Sequence, residues 1–137
     1  MLKVAFDKVF RHPLDKNHRF PMEKYDLIPL LLINEKVCNQ NNFFVPKNLN
    51  DQDVLTTHQK EYYERLSSLT LSEKEIRPIG FPMSRELIIR EKKIAQGTIE
   101  CSNFSINNGI SMNIAGGTHH AFYDKGEGFC MLNDQAI

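Results

Sequence analysis

Short apolar runs alternate with longer amphipathic stretches along this chain, and glycine or proline marks many of the joins. Leu2 to Phe6 is a compact apolar run that reads as a short strand. Asp7 to Phe20 is polar and reads as a loop holding His12-Pro13 and Asn17-His18-Arg19. Pro21 suits the first turn of a helix, where its missing N–H costs nothing. Met22, Tyr25, Ile28, Leu31 and Leu32 then recur at helical spacing until near Glu35. Asn42 to Val45 reads as a short buried strand before Pro46, Asn50 or Asp51 caps a short helix, and His58 to Ser67 reads as another. Ser72 and Glu75 have the spacing of a capping box, but little apolar length follows and Pro78 soon interrupts. Gly80-Phe81-Pro82 reads as a loop.

Ser84 is a good N-cap for the longest helix. Ile88, Ala95, Ile99, Ser102 and Ile106 lie on one stripe with charges opposite, and Asn107-Asn108-Gly109 should end the helix in a left-handed cap. Ile110 to Ala115 follows as a strand that Gly116-Gly117 terminates, and Cys130 to Ile137 reads as the beginning of a further helix. Strand, helix, strand, Gly-rich loop, helix start is the rhythm of an α/β fold with a parallel sheet. In such folds functional loops leave the carboxyl ends of strands.

Composition narrows the function classes. A length of 137 residues fits one domain. Seventeen basic against seventeen acidic residues give no electrostatic reason to expect nucleic acid or an anionic membrane. The longest apolar run, Leu27 to Ile33, falls far short of the roughly 20 residues that span a bilayer. The N-terminus meets a charge at Lys3, too early for a signal-peptide core. Cys38, Cys101 and Cys130 are odd in number, widely spaced and without a Cys-x-x-Cys pair. They argue against a disulfide framework or structural zinc, and a reducing cytoplasm is the natural reading.

The chemistry concentrates in Gly116-Gly117-Thr118-His119-His120-Ala121, followed by Gly128-Phe129-Cys130-Met131-Leu132-Asn133-Asp134. Histidine is the side chain best suited to move protons near neutral pH. In a regular strand two neighbouring side chains point to opposite faces, so adjacent histidines converge only if the backbone turns. Glycines ahead of them permit that turn.

These residues resemble the signature of the histone deacetylase superfamily, which includes acetoin-utilisation proteins and acetylpolyamine amidohydrolases. His18-Arg19-Phe20-Pro21-Met22-Glu23-Lys24-Tyr25 resembles the segment after that family's first loop, and His58, Gly80 to Ser84 and Gly97-Thr98 follow in family-like order. The resemblance runs along essentially the whole chain, nearest to the bacterial and class IV branch. It implies the N-terminal part of a three-layer α/β arginase/deacetylase fold with a mainly parallel sheet. It also implies a zinc-dependent amidohydrolase in which a metal-bound water attacks an acyl-amide carbonyl. By resemblance, His120 is the main proton-transfer residue and His119 its electrostatic partner. Gly128 offers its carbonyl to the substrate amide, Phe129 walls a narrow channel around an acyl-lysine stem, and Arg19 stands by a product channel. Cys130 is expected as a buried neighbour, and Asn133 and Asp134 as residues that hold the loop.

The family's Asp-x-His pair, further ligand aspartate and transition-state tyrosine have no counterpart here. The expectation is therefore that residues 1–137 form the N-terminal portion of one deacetylase domain. In that case no metal ligand is present, and Zn2+ is held by residues downstream. Such a portion would be inactive alone and, with an uncovered sheet, prone to self-association. The expected substrate is an acyl-lysine protein or a small acylated amine. The alternative is a truncated non-catalytic module that binds a partner through the exposed sheet.

Overall fold

The computed structural model describes residues 1–137. Three short parallel strands form the sheet, in the order β2-β1-β3: β1 (Lys3–Ala5), β2 (Phe43–Phe44) and β3 (Ser111–Asn113). Val4 pairs with Phe43 on one side and with Met112 on the other. The strand, helix and strand rhythm thus yields the expected parallel sheet, with each strand shorter than the apolar run that announced it. Val4 and Ala5 of the central strand are fully buried.

Five helices surround it: α1 (Lys24–Asn34), α2 (Asp51–Val54), α3 (Lys60–Ser67), α4 (Glu73–Ile79) and α5 (Arg85–Asn108). The Ser84 hydroxyl accepts the Leu87 N–H at 3.1 Å and starts α5, and Gly109 ends it at φ 87°. Both ends fall where the sequence reading puts them, although Gly109, at ψ −35°, lies outside the left-handed helical region expected of it. Gly97 lets the helix lie close to the sheet, because a Cβ there would come within 2.9 Å of the Asn113 amide nitrogen.

Several expectations fail for identifiable reasons. The helix start expected from Cys130 comes later, at Asn133, whose side chain accepts the Ala136 N–H at 3.2 Å and whose carbonyl accepts the Ile137 N–H at 3.1 Å, while Cys130 to Leu132 precede it as irregular chain. The Ser72–Glu75 capping box does open a helix, α4, which tolerates Pro78 in its last turn before Gly80 closes it at φ 79°. In α1, Leu31 faces solvent with Leu27 and Leu30, and Pro29 is buried instead. In α5, Ile106 is 82% exposed, whereas Arg90 and Glu91, expected on the charged outer face, are 2% and 1% exposed.

That buried pair is a junction of the core. Arg90 Nη1 donates to Glu91 Oε1 at 2.5 Å and Arg90 Nε donates to the Phe10 carbonyl at 2.7 Å. The guanidinium lies 5.1 Å from the Tyr25 ring and 5.9 Å from that of Phe81. Glu91 Oε2 has no partner. Burial drives the Glu91 carboxyl upward from its ordinary range, against the pull of Arg90. Removing one member of such a pair strands the other charge, whereas replacing both with apolar groups of similar volume need not. Arg90→Met is expected to cost about 3–5 kcal/mol in urea unfolding, and Arg90→Met with Glu91→Leu to restore most of it. A double variant no more stable than the single one would show that the pair does more than neutralise itself.

Candidate active site

The site grows from the carboxyl end of β3. There the Asn113 side chain donates to the Ile94 carbonyl (2.8 Å) and to Thr98 Oγ1 (2.9 Å), fixing the strand end to α5. The chain then turns through Gly117, at φ 93°, into Thr118 and the two histidines. The buried Asp134 carboxylate holds this turn. It accepts the Gly117 N–H at 2.9 Å, the Thr118 N–H at 2.7 Å and the Thr98 hydroxyl at 2.5 Å. The Thr118 hydroxyl donates to the Leu132 carbonyl at 2.7 Å. One aspartate therefore joins α5, the glycine turn and the final segment of the chain.

Beyond Thr118 the two imidazoles come together. The His119 and His120 ring centroids are 4.5 Å apart with planes inclined by 33°, and both residues are exposed. Glu127 and Cys130 bridge antiparallel around a two-residue turn, with Gly128 at φ 57° and Phe129 at φ 66°. A two-residue hairpin turn of this hand needs positive φ at both central positions. Glycine meets that need freely; phenylalanine does so only under constraint. The constraint is visible: Gly128 N–H donates to the Pro78 carbonyl at 3.0 Å and Phe129 N–H to that of Ile79 at 2.8 Å. Gly128 also lies directly on His120, whose Cγ would be 3.3 Å from a Cβ at that position.

The Phe129 ring joins an aromatic cluster, 4.9 Å from Phe20, 5.0 Å from Phe81 and 6.0 Å from His18. The Arg19 guanidinium stands 4.9 Å from the Phe129 centroid. All five residues singled out in the sequence thus form one line of contacts, from Arg19 through Phe129 and Gly128 to His120 and His119. His18 is less free than a loop histidine would be: Nδ1 accepts the Phe20 N–H at 3.1 Å, and Nε2 meets the Gly80 carbonyl at 2.8 Å. Burial pushes the Cys130 thiol up to about 11, which keeps it protonated and unsuited to act as a nucleophile. No group of three or more His, Cys, Asp or Glu side chains is placed to hold a metal ion.

Residues 18–137 match the family model described as the histone deacetylase domain. The chain belongs to the histone deacetylase family. An uncharacterized protein of the cyanobacterium Picosynechococcus is 36% identical over 134 residues, 98% of this chain and 45% of that protein. Histone deacetylase 2 of Arabidopsis thaliana is 26% identical over 90% of this chain and 34% of its own. The acetoin utilization protein AcuC of Staphylococcus aureus is 22% identical over 98% of this chain and 37% of its own. The crystal structure of a histone deacetylase homologue from Aquifex aeolicus superposes with a TM-score of 0.78 at 17% identity. That superposition covers 98% of this chain and 39% of the homologue, and it gives this member of the family the α/β deacetylase fold. The chain spans less than half the length of each of these relatives.

Sequence reasoning missed two polar anchors of the site in this deacetylase-family chain. One is the buried pair Arg90–Glu91, whose carboxylate faces the Met131 N–H. The other is His58, which lies just ahead of α3 and accepts the Asn133 N–H through Nε2 at 2.9 Å. The sequence marks His58 only as the first residue of a helix and by its family-like position; the helix begins two residues later, at Lys60.

Replacing Asp134 by Asn turns an acceptor toward three donors into a mixed amide, at an expected cost of roughly 2–4 kcal/mol in denaturant unfolding. Unchanged stability would remove the carboxylate from its central place. A pH dependence follows from His58 and His12, both held below the ordinary histidine value chiefly by burial, with Arg90 adding to the effect at His12. The unfolded chain takes up protons as pH falls through about 6.5, and the folded chain resists until lower pH. Their contribution is therefore a loss of stability on acidification below about 6.5, and no change above it. The urea midpoint of the parent, compared across pH with that of His12→Gln/His58→Gln, isolates this slope because the opposing titration of Glu91 cancels.

Proposed function

We propose that this chain carries the proton-transfer and substrate-wall elements of a hydrolase that removes acetyl or other acyl groups from lysine side chains or small acylated amines. The observation that carries the reading is the packing of the paired imidazoles of His119 and His120 against the Gly128–Phe129 turn, within a histone deacetylase domain. In the reaction, water adds to the acyl carbonyl, the C–N bond breaks, and a carboxylate and an amine result. His120 takes the proton from the water and returns it to the leaving nitrogen. His119, beside it, tempers the charge that His120 acquires. Gly128 offers its carbonyl to the substrate N–H. That oxygen already receives the Cys130 thiol at 3.4 Å and keeps a second lone pair. Phe129, braced by Phe20 and Phe81, lies along the acyl-lysine stem. Arg19, whose guanidinium lies 4.9 Å from the Phe129 centroid, meets the carboxylate product.

The zinc that the resemblance implies does not fit these 137 residues, since no ligand set is assembled among them. Its ligands belong to the part of the relatives' length that this chain does not span. One homologous structure at 19% identity is described as complexed with SAHA, an observation that concerns that protein. No helix is long and apolar enough to cross a membrane. We place the reaction in the cytoplasm, on a protein or amine substrate, without direct contact to nucleic acid.

The deciding experiment is a zinc-supplemented deacylation assay on the complete gene product beside residues 1–137, with an acetyl-lysine peptide and an acetylated polyamine. Turnover by the complete product alone is expected. There, His120→Ala should lower kcat by about 10²–10⁴-fold with folding and zinc content retained. Phe129→Ala should weaken the preference for a slender acyl-lysine chain. Absence of turnover on every acylated amine tested would overturn the enzymatic reading. It would favour a non-catalytic module that binds through its sheet, whose β2 and β3 edges are both open.

A further inference from the structure

Three consecutive residues at the turn between α2 and α3 reach across to the histidine loop. The Thr57 hydroxyl donates to the Ala136 carbonyl at 2.9 Å. His58 Nε2 accepts the Asn133 N–H at 2.9 Å. The Gln59 N–H donates to the Tyr123 carbonyl at 2.8 Å. Together they grip both flanks of the loop. Asn133 then extends the grip inward, because its side-chain amide donates to the Ala121 carbonyl at 3.0 Å and the His119 carbonyl at 3.4 Å. The path from His58 to the backbone of the histidine pair is two hydrogen bonds long.

The His58 ring is 1% exposed, lies 5.9 Å from the Tyr62 ring, and leaves Nδ1 without a hydrogen-bond partner. A ring placed for packing alone needs no acceptor aimed at a backbone N–H, and burying an unmatched polar edge costs free energy.

We propose that His58 is a positioning residue for His119 and His120, and that its neutral Nε2 is a latch which a proton opens. The proposal rests on reading those two histidines as the acid–base pair. A neutral imidazole accepts on one nitrogen and donates on the other. Protonation at Nε2 sets a donor against the Asn133 N–H. The Asn133 backbone must then withdraw, and its side chain leaves the Ala121 and His119 carbonyls. The groups that bear on the ring's charge are few. The Phe122 and Tyr123 carbonyls favour the charged form, and burial opposes it more strongly. The Tyr62 phenol on α3 is held neutral by burial and is committed to the Met131 carbonyl at 2.9 Å. The latch therefore stays closed at neutral pH and opens on acidification.

The test is residue-resolved amide exchange of the 137-residue chain by NMR, with the side-chain nitrogen shifts of His119 and His120 followed in the same samples. His58→Leu removes the acceptor; His58→Gln retains one. In His58→Leu, exchange at Asn133, Gln59 and Phe122 is expected to rise about tenfold or more, while amides of α5 and β1 keep their protection. In His58→Gln those rates should return to within about threefold of the parent. The His119 and His120 shifts should move in His58→Leu and revert in His58→Gln. Should His58→Leu fail to fold, the parent decides the matter. From about pH 7.5 to about pH 5, loop exchange corrected for its intrinsic rate should rise ahead of the core. Uniform loosening of loop and core, or loop exchange indifferent to both substitution and pH, would overturn the proposal. No readout uses a substrate, so a failed deacylation assay leaves this result standing, and a failed latch leaves the enzymatic reading untouched.

Discussion

Three donors meet at the buried carboxylate of Asp134, and the geometry of the histidine end depends on their meeting. Two are consecutive backbone N–H groups, of Gly117 and Thr118, which could not both point inward if the chain continued as a strand. The third is the Thr98 hydroxyl, itself fixed by Asn113 at the end of β3. A carboxylate accepts several bonds at once, and a charged acceptor makes each one stronger. It bends the backbone between β3 and His119, so that adjacent imidazoles converge. The same residue draws the last segment of the chain against α5. Turn, strand end and terminal segment are thus one mechanical unit.

A second anchor works from the opposite side. The antiparallel bridge between Glu127 and Cys130 and the two bonds to the end of α4 hold Phe129 in a backbone region that it would not choose. Its aromatic neighbours recover part of that strain, since packed ring pairs contribute about 0.5–1.5 kcal/mol each. Gly80 makes room for the ring, which a Cβ there would approach within 3.0 Å. The wall of the site is therefore shared among the first loop, the end of α4 and the turn at Gly128.

What the sequence revealed and what it concealed divide along physical lines. The parallel sheet and the caps of α5 were legible because spacing and caps are local properties, whereas the grouping of Gly128, Phe129 and Arg19 with His119 and His120 came only through the resemblance to the deacetylase family. The burial of Arg90 and Glu91 was not legible. Periodicity sorts polar from apolar positions, and it cannot tell that two adjacent charges satisfy each other inside. The terminal segment turns helical later than its apolar residues suggest: Asn133 caps the first turn, and the Asp134 carboxylate goes to the N–H groups of another turn. His58 sends its bond to a residue 75 positions away, which no local pattern announces.

The placement of β1 at the centre of the sheet has a consequence for how the molecule comes into being. Its two partners are far apart in the chain, and the Ser111 hydroxyl reaches back across 108 positions to the Lys3 carbonyl. Helices close through near neighbours, whereas pairings at such separations first need a long loop to be drawn shut. On the ribosome, the first strand emerges early and waits through the synthesis of every helix before β3 follows it. The histidine turn comes directly after β3, so its residues leave the exit tunnel just behind the strand that completes the sheet. Assembly of the chemistry is coupled in time to closure of the scaffold, and a chain stalled before residue 111 exposes an unfinished strand edge without presenting either imidazole.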